Sequence, residues 1–160
     1  MDRSLLKEKA KQAKKSNKKL IQRLSKMNGR AVDQEVHVLH EEVFEELDCL
    51  TCANCCKTTS PLFRTKDIER LSAHLNMKPG DFVQKYLKLD EEEDYVFQSA
   101  PCPFLGADNY CSVYEARPRA CREYPHTDRK QFQSILNLSL SNTAICPAVF
   151  EIFERLKQKI

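Results

Sequence analysis

The residues best suited to chemistry are eight cysteines: Cys49, Cys52, Cys55, Cys56, Cys102, Cys111, Cys121 and Cys146. The first four spell C-x2-C-x2-C-C. A C-x2-C turn brings two thiolate sulfurs toward one ion while nearby backbone N–H groups can donate to them, and the doubled spacing offers three convergent sulfurs. Tetrahedral zinc takes four thiolates, and so does a four-iron cluster. At least one remote cysteine must therefore complete a site. Adjacent side chains of an extended segment point to opposite faces, so Cys55 and Cys56 are expected to serve different roles. Eight thiolates would fill two four-thiolate sites, although the spacing does not require all eight as ligands.

The metal stays open at this level. The C-x2-C-x2-C run matches the first three ligands of bacterial ferredoxins, whose pattern ends in Cys-Pro. Cys102-Pro103 and Cys146-Pro147 are present, but neither sits at that spacing. Soft thiolates suit zinc and iron alike, so the expected cofactor is zinc or iron, with a 4Fe-4S cluster as one form of the latter.

Several other chemistries are excluded. Radical chemistry on S-adenosylmethionine calls for C-x3-C-x2-C, which is missing, and no H-x-E precedes a P-C-x-x-C as in the zinc deaminases. The four histidines, His37, His40, His74 and His126, form no pattern for activating a nucleophilic cysteine. His126 could be a nitrogen ligand but reads better as a solvent-facing side chain. Gly29, Gly80 and Gly106 are the only glycines, too few and too scattered for a phosphate-cradling loop.

The formal charge of +3 conceals an asymmetry. Residues 1–30 hold eleven Lys and Arg against Asp2 and Glu8, a balance of +9, which leaves −6 for the rest. Such an arm suits contact with nucleic acid or another anionic surface. It has no interleaved aromatics for base stacking, so a solvated or self-packed helix is the favoured reading. The acidic run Glu91–Asp94 reads as a surface loop. No apolar stretch resembles a secretory signal or a membrane span. The expected compartment is cytoplasmic, where thiols stay reduced and bind metals rather than pair as disulfides.

The elements that must position the cysteines follow from periodicity. Residues 3–27 predict a basic helix with Leu5, Leu6, Leu20, Ile21 and Leu24 as anchors, broken at Asn28-Gly29. Val32, Val36, Leu39, Val43, Phe44 and Leu47 recur at three and four, predicting an amphipathic helix with an acidic outer face. Thr65 is placed as the cap of a helix over Lys66–Leu75, and Pro79 as the start of one reaching Leu87. Tyr95–Phe97 predicts a short strand, and a hairpin is predicted from Phe104-Leu105 and Ser112–Tyr114 around Gly106–Tyr110. Pro118 is expected to start a short helix carrying Cys121. Pro147 should start the last helix, with Val149, Phe150, Phe153 and Leu156 on its apolar face. Closing long loops with a metal would stabilise a chain of modest core.

Taken in order, the Cys49–Cys56 run, Thr65, Asp67-Ile68, Cys102-Pro103-Phe104-Leu105, Cys111-Ser112-Val113-Tyr114 with Arg117-Pro118, and Cys121-Arg122 with Tyr124-Pro125 form a recognisable series. The series resembles the CxxCxxCC cysteine-cluster family, also called YkgJ-like and described as a zinc- or iron-chelating domain. The likeness runs from Cys49 to Pro125 and extends toward Cys146. One departure is Ala53, where many members carry Gly. The resemblance implies metal chelation by the cysteines, and most members have no assigned reaction. Flagellin lysine methylases are related, so a metal- or cluster-dependent methyltransferase or oxidoreductase is an alternative. A further alternative is an RNA- or ribosome-associated module with a structural metal.

The expectation is therefore an α+β, mainly α fold: a basic helical arm over 1–30 and a cysteine-cluster metal-binding domain over 31–160, with motif core 49–125 and C-terminal helix 147–159. All eight cysteines are candidate ligands. Arg117, Arg122 and Tyr124 are candidates for bonding to the thiolates from behind. The expected role is metal handling, electron transfer or an accessory function, with a protein partner conceivable.

Overall fold

The computed structural model describes residues 2–160. The chain is 62% helical with one two-stranded antiparallel sheet, an α+β fold that is mainly α. It divides into two compact units, one formed by residues up to Cys52 together with Pro125–Ile160, the other by Ala53–Tyr124.

The first unit is helical. Its α1 (Arg3–Leu24) and α2 (Gly29–Glu46) are separated at Asn28, whose side chain accepts from the Ala31 N–H at 3.1 Å and so caps α2. A single turn, α3 (Cys49–Cys52), ends the first stretch of this unit. After a 3-10 turn at Phe132–Ile135 come α8 (Leu136–Asn142) and α9 (Pro147–Lys159). The predicted periodicities hold in part: Leu5 and Leu47 are exposed, the latter beyond the end of α2, and Ile21 and Phe44 are only half-buried. Leu6, Leu20 and Leu24 of α1, Val32, Val36, Leu39 and Val43 of α2, and Ile152, Phe153 and Leu156 of α9 are all buried. α1 packs on α8 and α9, and α2 packs on α9. Acidic side chains of α2 are matched there: Arg155 of α9 reaches Glu46 at 2.7 Å and Glu42 at 3.7 Å, and Lys159 reaches Glu35 at 2.6 Å. No single helix among the described residues is long and apolar enough to cross a membrane.

The second unit contains α4 (Asn54–Thr58), α5 (Thr65–His74), α6 (Pro79–Tyr86), β1 (Leu87–Leu89), β2 (Tyr95–Phe97) and α7 (Arg119–Glu123). Phe63, Leu71, Phe82, Phe97 and Phe104 supply most of its core, with Phe63 and Phe97 edge to face at 4.8 Å. Two local expectations are corrected. Thr65 is the first helical residue of α5 rather than its cap; the Asp67 carboxylate accepts from the Arg64 N–H at 3.0 Å instead. The sheet pairs Leu87–Leu89 with Tyr95–Phe97. Its connection is organised by Asp90, whose Oδ1 accepts from the N–H groups of Glu92 and Asp94 at 2.9 Å each. The hairpin expected near Gly106 is reduced to one bridge, Leu105 with Cys111, because Tyr114 turns into a 3-10 turn.

Candidate metal centre

The eight cysteines are thiols rather than half-cystines, and they fall into two groups by unit. Cys49, Cys52 and Cys146 belong to the first, and Cys55, Cys56, Cys102, Cys111 and Cys121 to the second. The four-cysteine run is divided between them, with Cys49 and Cys52 on α3 and Cys55 and Cys56 on α4. Ala53, between the two turns, has the left-handed φ of 45°, which explains why Gly suits this position.

In the second unit, backbone hydrogen bonds gather the remote segments. The Cys102 N–H donates to the Cys56 carbonyl at 2.8 Å. Cys102 and Cys111 are then tied to each other. The Leu105 N–H donates to the Cys102 carbonyl at 3.2 Å, Ser112 N–H to Phe104 at 2.9 Å, and Gly106 N–H to Tyr110 at 2.8 Å. A Cβ on Gly106 would lie 2.6 Å from Asp108 Oδ1 and 3.2 Å from the Tyr110 carbonyl, so a larger residue would have to displace the Asp108 side chain from this turn. Both Cys102 and Cys111 pack against the unit's core.

Cys121 arrives on α7, and α7 is anchored by Asp67 of α5. Besides Arg64, the buried Asp67 carboxylate accepts from the Arg119 N–H at 3.0 Å and from Arg70 Nη2 at 2.8 Å. Arg70 Nη2 also donates to the Arg117 carbonyl at 2.7 Å. Asp67 and Arg70 thus hold the Arg117-Pro118-Arg119 bend that delivers Cys121. The spacing of three between Asp67 and Arg70 on α5 was visible in the sequence, but its target 47 residues away was not.

The thiols sense one another. Burial pushes Cys121 up to about 12, and the charges of Cys56, Cys102 and Cys111 push the same way. Burial likewise raises Cys102 to about 11, with Cys56 and Cys111 adding to it, and raises Cys111. Cys56 moves the other way, to about 7, chiefly because the Cys55 thiol donates to it, with Arg117 also favouring the thiolate. The expectation that Cys55 and Cys56 face apart rested on an extended segment. They sit on a helical turn, where adjacent side chains diverge far less.

The first unit holds a smaller group. Cys49 and Cys52 are three apart on α3, a spacing that puts side chains on one side of a helix. Cys146 precedes α9, and its N–H donates to the Asn142 carbonyl at 2.8 Å. Burial raises it to about 11, and the charges of Cys49 and Cys52 raise it further.

Of the three residues expected behind the thiolates, Arg117 lies within electrostatic reach of Cys56, Cys111 and Cys121. It is held over the Tyr114 ring at 3.5 Å and donates from Nε to the Tyr114 carbonyl at 2.8 Å. Arg122 is exposed, and Tyr124 ends α7 with its N–H on the Ala120 carbonyl at 3.0 Å. Among the described residues, no group of three or more Cys, His, Asp and Glu is placed to hold an ion as it stands. The donor set nevertheless fits zinc or iron by its chemistry. The charge of Cys56 raises the proton affinity of Cys102, Cys111 and Cys121, and a cation among them would reverse that repulsion and favour the thiolates.

A family model described as "CxxCxxCC: Putative zinc- or iron-chelating domain" matches residues 48–139. The chain belongs to this family. The match takes in seven of the eight cysteines, from Cys49 to Cys121, and stops before Cys146. No solved structure matches the chain.

Proposed function

We propose that the chain holds zinc or iron through two separate sets of cysteine thiolates, one in each unit, and works in metal handling. The observation that carries this is the gathering, within Ala53–Tyr124, of Cys56, Cys102, Cys111 and Cys121 by the backbone bonds and the Asp67 anchor described above. Four thiolates are a complete tetrahedral set, the ligand count of a closed structural site. Cys55 supports Cys56 by hydrogen bonding and is a reserve ligand.

Cys49, Cys52 and Cys146 form the second set. Three sulfurs leave one tetrahedral position for water or an incoming ligand, and Cys49 is exposed. A metal held this way exchanges more readily than one enclosed by four thiolates, which favours a handling or accessory role. An enzymatic role has less support. The cavity lined by Lys85, Tyr86, Phe97, Gln98, Ser99 and Pro103 measures about 80 Å³, well below the several hundred Å³ of ordinary substrate sites.

Anaerobic purification, elemental analysis and an optical spectrum test the reading. The expected result is zinc or iron at up to two sites per chain, with the bound thiols protected from alkylation. A colourless zinc protein assigns zinc; a brown one with charge-transfer absorption assigns an iron–sulfur cluster. Metal-free protein with eight reactive thiols, unable to take up either ion, would overturn the proposal.

A further inference from the structure

We propose that the outer face of α1 binds the phosphate backbone of double-stranded nucleic acid without reading its sequence. Between Arg3 and Lys26 there are ten basic residues and one acid, Glu8. Every one of the ten is exposed. Among the described residues none of them enters an ion pair. Three acids of α2, Glu35, Glu42 and Glu46, pair with Arg155 and Lys159 of α9.

Their order along the helix matters as much as their number. Lys7, Lys11, Lys14 and Lys18 are spaced four, three and four, so they line one ridge, and Lys15 and Lys19 lie beside it. The buried face, carrying Leu6, Ala10, Asn17, Leu20 and Leu24, lies about a quarter of a turn away from that ridge. At 1.5 Å per residue the helix is about 33 Å long, and a duplex presents one negative charge per about 1.7 Å of its axis. A linear array of cations therefore meets a linear array of anions.

The same surface disfavours other occupants. A helix that lies in a lipid surface inserts its apolar face, and here that face is already used in the unit's core. A stable protein interface is built on aromatic or apolar anchors, and the lysine ridge offers none. Single strands are held by base stacking on aromatic side chains, and α1 contains no aromatic residue. A duplex backbone needs only the cations. The inference is independent of the metal.

The test is fluorescence anisotropy of the full-length protein with a 20-base-pair RNA duplex, a DNA duplex of equivalent sequence, and anionic phospholipid vesicles. With about five phosphate contacts, affinity should fall by two to three orders of magnitude between 50 and 200 mM salt. Replacing Lys7, Lys11, Lys14 and Lys18 by Gln, a comparable helix former, should weaken binding at 100 mM salt at least about 30-fold and flatten the salt dependence by about three contacts. A control with Lys57, Lys66, Lys78 and Lys85 replaced by Gln should bind as the parent does. RNA and DNA arms tell which duplex is preferred; binding to either sustains the proposal. Absence of duplex binding at 50 mM salt, binding to vesicles alone, or an unchanged affinity in the α1 variant with normal helicity would overturn it.

Discussion

The two units position their cysteines by different means. In the first, Cys146 stands at the head of a 13-residue helix and Cys49 and Cys52 follow an 18-residue one. A long helix buried along one face fixes Cys146, and another leads into the short turn that carries Cys49 and Cys52. In the second, the helices that carry cysteines are single turns of five residues, and Cys102 and Cys111 lie outside any helix. Position there comes from individual hydrogen bonds: Cys102 to Cys56, Gly106 to Tyr110, Asp67 to Arg119. Apolar packing fixes a helix as a whole and tolerates local change. A turn held by one or two bonds keeps its geometry only while those bonds, or a metal, hold it.

Removing the ion should expose this contrast most strongly. A four-thiolate zinc contributes on the order of 10 kcal/mol of apparent binding energy at neutral pH, against which the turns around Cys56, Cys102, Cys111 and Cys121 have a few hydrogen bonds and the small core beneath them. Cys121→Ser should therefore lower metal content and unfold or loosen residues 53–124, seen as lost amide protection in hydrogen exchange. Cys146→Ser should lower metal content with a far smaller change in protection, because α2 and α9 remain packed. Equal effects of the two substitutions would erase the distinction between the units.

The converse substitution belongs in the helical unit. Leu39 is fully buried on α2, and Leu39→Ala should cost about 2–5 kcal/mol through lost burial and a residual cavity. Denaturant unfolding measures this. Metal content of the folded protein should stay at the parent value, since no thiol is held by that residue.

The same contrast explains how much was legible beforehand. Helices α1, α2 and α9 follow from apolar residues at intervals of three and four, a signal each segment carries by itself. Short elements carry no such signal. Leu136–Asn142 has too few turns to show a period, and β1 is three residues whose strand character comes from pairing with Tyr95–Phe97. The cysteines stood out as candidate ligands from type and spacing. Their partition was not, because it depends on Arg70 reaching the Arg117 carbonyl and Cys102 reaching Cys56 across long loops. Asp67 illustrates the limit: its place in a helix's first turn was readable, its grip on Arg119 was not.

That grip is the next place to press. Asp67→Asn retains the shape but replaces one carboxylate oxygen by an amide, leaving a buried donor facing other donors. A cost of about 1–3 kcal/mol is expected, accompanied by weaker metal retention at Cys121. The pH dependence gives an independent check. Burial alone would raise the Asp67 carboxyl, but bonds from Arg64, Arg119 and Arg70 outweigh it and hold it below 3.8. A depressed folded-state value means the stabilisation is present in full above the unfolded value and is lost as pH falls through the folded one. The parent should thus lose this contribution only below about pH 4, and the Asn variant should show a correspondingly shallower decline in that range.

The smallest effect is expected at Ala53, where the motif passes from α3 to α4. Its φ of 45° and ψ of 19° lie in the left-handed region, which costs an L-residue roughly 1–2 kcal/mol. Gly would remove that strain, at an entropic cost of roughly 0.5–1 kcal/mol in the unfolded chain. The difference favours Gly by up to about 1.5 kcal/mol, measurable as a modest rise in the denaturation midpoint. The sign is the informative part. Because Ala53 is buried, losing its methyl group removes some packing, and a destabilised Ala53→Gly would mean that packing outweighs backbone strain at this turn. A stabilised variant with unchanged metal content would instead mean that the turn's conformation is imposed by the cysteines on either side, whichever residue occupies it.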